Sequence, residues 1–135
     1  MRAMSPAIND PFTALACLDY LSEGLASFIR SGEISPYIYD TDGKLRLIFE
    51  SVSSAELLRA AFDMLRHASC NNASVLLHML DAIELIGQET KSPETHQELF
   101  RHVSLIHAES QASAIVEQEC QSIRLRCESL QVRLS

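Results

Sequence analysis

The densest group of polar side chains ahead of a helix is Ser5-Pro6-Ala7-Ile8-Asn9-Asp10-Pro11-Phe12-Thr13-Ala14. Unpaired backbone N–H groups at a helix start attract anions, so Ser5, Asn9, Asp10 and Thr13 could line a small polar pocket. The Asp10 carboxylate would oppose a strongly charged guest. The same residues have a structural use. Ser5 and Asp10 can cap helices, and Asn9 and Thr13 can bond to nearby backbone. The structural use is the preferred expectation.

Other constellations are thinner. Glu98 and His102 stand four apart and share a helix face, as two metal ligands would. No third or fourth ligand can be picked out, so the pair reads as an exposed contact worth a few tenths of a kcal/mol. Asp40 and Asp42 fit a turn and lack the ligand spacing of a calcium loop. Cys17, Cys70, Cys120 and Cys127 contain no Cys-x-x-Cys and read as reduced, apolar residues. Cys120 and Cys127 lie two helical turns, or about 10 Å, apart, too far for a disulfide. Glycine-rich phosphate loops, Gly-x-Ser-x-Gly, His-Glu-x-x-His and Glu-x-x-His are all missing. The sequence therefore assigns no catalytic residue, no metal ligand and no cofactor.

The elements that must carry these residues are mostly helical. The chain has 135 residues, 47% of them hydrophobic, with four Gly and four Pro, which suits a single domain spanning residues 1–135 rather than a loop-rich β fold. No apolar run approaches the roughly 18 residues that would suggest a membrane span. The net charge is -7 and there are only two Lys, which argues against nucleic acid and against binding to anionic lipid by charge alone.

A short turn is expected over residues 5–9, then a helix from Pro11 with Leu15, Leu18, Leu21 and Leu25 on its apolar stripe, ended by Gly32. Residues 36–50 read as a β-hairpin turning at Asp42-Gly43. Ser53-x-x-Glu56 is a capping box. Asn71 or Asn72 caps the next helix, with Gly87 as its stop. Ser92-Pro93 opens C-terminal helices over about 93–134, with a break near residues 108–119. The fold class is thus mainly α: four to six helices with one hairpin after the first long helix.

The segment from Arg2 to Ala14 also resembles the signature of a bacterial family of predicted integral membrane proteins of unknown function. The similarity extends to Cys17-Leu18-Asp19, the Tyr-Asp…Asp-Gly-Lys-Leu-Arg hairpin, Ala61-Phe62 with Arg66, and Asn72 with Leu77, Leu80 and Ala82. It reaches about residue 90. Met4 stands where the family is expected to have Leu, and Ala73 where Pro often follows Asn. The resemblance implies several N-terminal membrane spans followed by a soluble, cytoplasmic domain, with this chain starting at its membrane-proximal edge. It implies no reaction, ligand or catalytic residue.

Two principal readings follow. One is a non-enzymatic regulatory, docking or oligomerisation domain, partnered by the membrane-spanning part in full-length relatives. The other is a small-molecule or anion-binding domain, with or without enzymatic activity, built on the Asn9-Asp10 region. A third, a stand-alone cytosolic adaptor, differs from the first by gene context alone. Self-association as a homodimer is expected. Val116, Ile123, Leu130 and Leu134 on a heptad-spaced face of the last helix, broadened by Leu125 and Val132, are the favoured contact, and the hairpin edges come second. Packing within the chain is the commoner use of such a face.

Overall fold

The computed structural model describes Met4, residues 10–32 and residues 35–134. Capping chemistry sets the helix starts. Asp10 is the N-cap of α1 (Pro11–Ser31), with Pro11 in its first turn, and Gly32 closes it at φ 84°. Glycine takes that left-handed backbone at little cost. Ser53 and Glu56 satisfy each other's backbone N–H groups at the start of α2 (Ser54–Ser69). Asn72 caps α3 (Ala73–Glu89) and Ser92 caps α4 (Pro93–Ala112). α5 runs over Glu117–Leu134. The turn expected at residues 5–9 lies outside the described residues.

The bundle is built around α3, which packs against each of the other four helices. Its Leu76, Met79, Leu80, Ile83 and Ile86 are fully buried, meeting Leu18 of α1, Phe62 of α2 and Leu99 of α4 in one core. Asn71 donates no cap but fixes the α4–α5 break: its Oδ1 accepts from the Ala114 N–H at 3.3 Å. Ser113 there is extended, which ends α4 without Gly or Pro.

Two expectations are corrected. Gly87 does not stop α3, which continues to Glu89 and is capped at Thr90. A Cβ on Gly87 would stand 2.9 Å from Leu134 Cδ2, so the missing side chain is a notch that lets the end of α5 approach. Secondly, α1 is long and apolar enough to cross a membrane by length and composition. Its average carries it past that test, not an unbroken run, because Asp19 and Glu23 interrupt the sequence. Here α1 is a bundle helix. It buries Ala14, Leu18, Ser22, Leu25 and Ala26, and Arg30 grips Glu89 of α3 through two bonds of 2.9 Å.

Between α1 and α2 stands an antiparallel hairpin, β1 (Tyr37–Tyr39) and β2 (Leu45–Ile48), the only sheet among the described residues. Tyr37 faces Ile48, Ile38 faces Leu47, and Tyr39 faces Leu45, so the register skips Arg46. The turn is organised by Asp40. Its Oδ1 accepts from the N–H groups of Asp42 and Lys44 at 3.0 and 2.9 Å, and Oδ2 accepts from Arg46 Nε at 2.6 Å. Those bonds, from Lys44 first and then Arg46, hold the Asp40 carboxyl below the usual carboxylate range.

Candidate functional site

At the start of α1 the polar groups of Asp10 and Thr13 bond to each other. Asp10 Oδ1 accepts from the Thr13 N–H at 3.1 Å, and Oδ2 accepts from the Thr13 hydroxyl at 2.5 Å. The Thr13 hydroxyl and then its backbone N–H hold the Asp10 carboxyl below its ordinary range. Both oxygens of the cap are therefore engaged, and a carboxylate already occupies the helix start that an anion would need. Ser5 and Asn9 lie outside the described residues.

The largest concentration of charge lies elsewhere, along the seam of α2 and α4. Glu98 and His102 are not an exposed pair: both are buried, with His102 Nε2 3.4 Å from Glu98 Oε1. Arg59 of α2 donates to Glu98 Oε2 at 2.8 Å, and Arg101 donates to Glu98 Oε1 at 2.8 Å. Arg101 also reaches Asp63 of α2 at 3.0 Å. Next along the seam, Arg66 bonds to Asp63 and to Glu109 of α4. Burial pushes the Asp63 and Glu98 carboxyls up, but the arginines bonded to each outweigh it and hold both below their usual values. His102 lies edge-on to Phe62 at 5.5 Å between ring centres. Burial, then the Arg101 charge, pushes its imidazole down to about 4, so it is neutral at pH 7.

The seam ties α2 to α4 through paired charges. Arg59, Arg66 and Arg101 balance Asp63, Glu98 and Glu109 in sign, and each is bonded to another member. A shallow cleft of about 340 Å³ opens beside Arg59, Glu98 and Arg101, and those groups face each other across it. A carboxylate–imidazole pair also joins α1 to α3, with Asp19 Oδ1 2.5 Å from His78 Nε2. Among the described residues no group of three or more His, Cys, Asp or Glu is placed to hold a metal ion.

The C-terminal face is divided. Ile123 and Leu130 are buried in the chain's own core, and Leu134 packs against it, so these residues do not form a free contact surface. Val116 is exposed, as are Leu125 and Val132. The heptad spacing therefore serves packing on α3 and α4, which α5 contacts on both sides.

The hairpin is the feature with unused surface. No Cα of either strand lies within 8 Å of a helix Cα. Tyr37, Ile38, Tyr39, Leu45, Leu47 and Ile48 are 44–64% exposed, on both faces of the ribbon. An isolated two-stranded hairpin is marginal in water, and contiguous apolar surface of this kind marks an interaction site.

Comparison with known proteins gives one match. No curated protein and no solved structure matches the chain. A family model described as "Predicted membrane protein (DUF2254)" matches residues 1–85, a stretch that holds the N-terminal segment, α1, the hairpin and α2. The match covers more than half of the chain, and the chain belongs to that predicted membrane protein family.

Proposed function

We propose that this chain is a non-enzymatic docking and oligomerisation domain of a membrane protein, held on the cytoplasmic side beside the spans of its family. The observation that carries this reading is the hairpin, which presents six half-exposed apolar side chains and keeps its strand Cα atoms more than 8 Å from those of every described helix. Such a ribbon needs something to cover it. The remaining charges support the reading because they are paired, although among the described residues His102 Nδ1, Arg66 Nε and Glu109 Oε2 are buried without a hydrogen-bond partner. Asp10 is spent on a cap, and the α2–α4 charges are spent on one another. Membership of a predicted membrane protein family supplies the setting, and a tether to a membrane raises local concentration enough to populate weak contacts.

The test separates docking from folding. Leu47→Glu with Ile48→Glu places charge on both faces of β2. Expected are an unchanged melting midpoint for the helices and loss of concentration-dependent association in sedimentation. A fall of the midpoint by roughly 5 °C or more, equivalent to more than about 1 kcal/mol, would mean that the ribbon packs on the body, and would overturn the proposal.

A further inference from the structure

We infer that the outer edge of β1 is where two copies of this chain join, antiparallel about a two-fold axis at Ile38, to form one four-stranded sheet. The inference rests on the hairpin being a docking element, and it names the partner and the edge.

Backbone directions come first. Pro36 O accepts from the Phe49 N–H, and the Asp40 N–H donates to Lys44 O. Even-numbered residues of β1 therefore turn their backbone groups toward β2, and Tyr37 and Tyr39 turn theirs away. At Tyr37 both outward groups meet the Ser35 hydroxyl, at 3.3 Å each, the long end of hydrogen-bonding distance. A strand laid alongside would offer shorter bonds to the same groups.

The two edges of the hairpin differ. Lys44 immediately precedes β2 and Arg46 lies within it, and the register skips Arg46. Charge and irregular register are what shield a sheet edge from further pairing. β1 is regular, and Tyr37–Tyr39 holds no charge.

Self-pairing of β1 fits both side chains and charge. Centred on Ile38, an antiparallel pair sets Tyr37 of each copy opposite Tyr39 of the other, giving two cross-strand aromatic pairs. Asp40 falls opposite Pro36, whose missing N–H lies on the β2 side and costs the join nothing. The chain's charge of -7 would drive copies apart. Among the described residues of β1 and its two flanking positions, however, the one charge is Asp40, and Arg46 neutralises it at 2.6 Å. No like charges meet across the axis, and each copy makes the same contacts as the other.

The experiment uses the chain as it stands, with exposed Cys17 replaced by Ser. Around the axis Ile38 faces its own counterpart at a non-hydrogen-bonded position, where Cα atoms are about 4.5 Å apart, within disulfide range. Mild oxidation of Ile38→Cys should give a cross-linked dimer, and Tyr37→Cys should not. Tyr37→Lys with Tyr39→Lys, and separately Tyr37→Glu with Tyr39→Glu, should each weaken self-association roughly tenfold, and mixing the two should restore it. Equal cross-linking at both positions, or a wild-type chain that stays monomeric at the highest concentration, overturns the inference. Association that ignores the edge charges but is lost with Leu47→Glu and Ile48→Glu also overturns it, while leaving the docking reading standing. Association that ignores every hairpin change removes both.

Discussion

Arg66 carries a charge that water hardly reaches. Its side chain is 4% exposed, whereas its partners Asp63 and Glu109 are 33% and 28% exposed. Removing the two carboxylates is therefore not equivalent to removing the guanidinium. Asp63→Asn with Glu109→Gln leaves a buried cation without a counter-charge, and such a break costs about 3–5 kcal/mol. Arg66→Met keeps most of the buried volume, and the side chains of Asp63 and Glu109 left behind are about a third exposed and Asp63 keeps Arg101, so the cost should be about 1–2 kcal/mol. Combining all three changes should recover most of the carboxylate loss, because the stranded charge is gone. Net stabilities are of order 5–15 kcal/mol, so the difference is easily seen. Urea unfolding followed by circular dichroism gives the ordering, provided the denaturant slope is unchanged across the set. If Arg66→Met costs as much as the double carboxylate variant, the side chain matters for its packing, and the electrostatic account of the seam is wrong.

Acid should weaken the fold through His102. Its folded value of about 4 lies below the ordinary 6.5, so the unfolded chain takes the proton first; stability is full above about pH 6.5 and is lost as pH falls toward 4. His102→Gln should flatten stability across that window, leaving the acid loss from the carboxylates held below their ordinary values, Asp63 and Glu98 among them, and an unchanged profile would refute the assignment. Asp10→Ala should lower stability by about 1 kcal/mol through loss of the α1 cap, with Asp10→Asn largely spared, as read from the denaturation midpoint. Burial pushes the Cys127 thiol up to about 12, so alkylation of the native chain should label Cys17 and leave Cys127 untouched until global unfolding, as mass spectrometry can show. Gly87→Ala should gain little by itself because its methyl meets Leu134, but should stabilise a Leu134→Ala chain by about 1 kcal/mol in thermal melts.

What the sequence disclosed was local. Asp10-Pro11, Ser53-x-x-Glu56 and Ser92-Pro93 act within a few residues of themselves, so their capping roles are readable without neighbours. The hairpin was legible for the same reason, since Asp40 and Gly43 build its turn from within. Features that depend on a distant helix were not. Glu98 and His102 show that they share a face, but their spacing does not say that α2 covers it. Asp63 and Arg66, and Glu98 and Arg101, carry intrahelical spacing that could have flagged opposite charges in register on two helices. Nothing in that spacing places Glu109 beside Arg66 across 43 residues of chain. Gly87 misled because a glycine near the end of an apolar stripe has the same signature as a stop, and the side chain it accommodates belongs to the far end of the chain.

From the standpoint of the helices, the hairpin is a loop. Because no strand Cα comes within 8 Å of a helix Cα, the core between α1 and α2 does not rest on the backbone of the two strands, while Gly32 and Ser53 keep their capping roles. Loop-closure entropy grows slowly, so doubling such a connection costs only about 0.6 kcal/mol. Replacement of the ribbon by a different segment should therefore be nearly neutral for folding. Mutational drift in the core is checked by the loss of the whole bundle, whereas drift in the ribbon is checked only by what the ribbon must meet. The two parts of this short chain are free to change at different rates, and a new partner can be acquired without rebuilding the bundle.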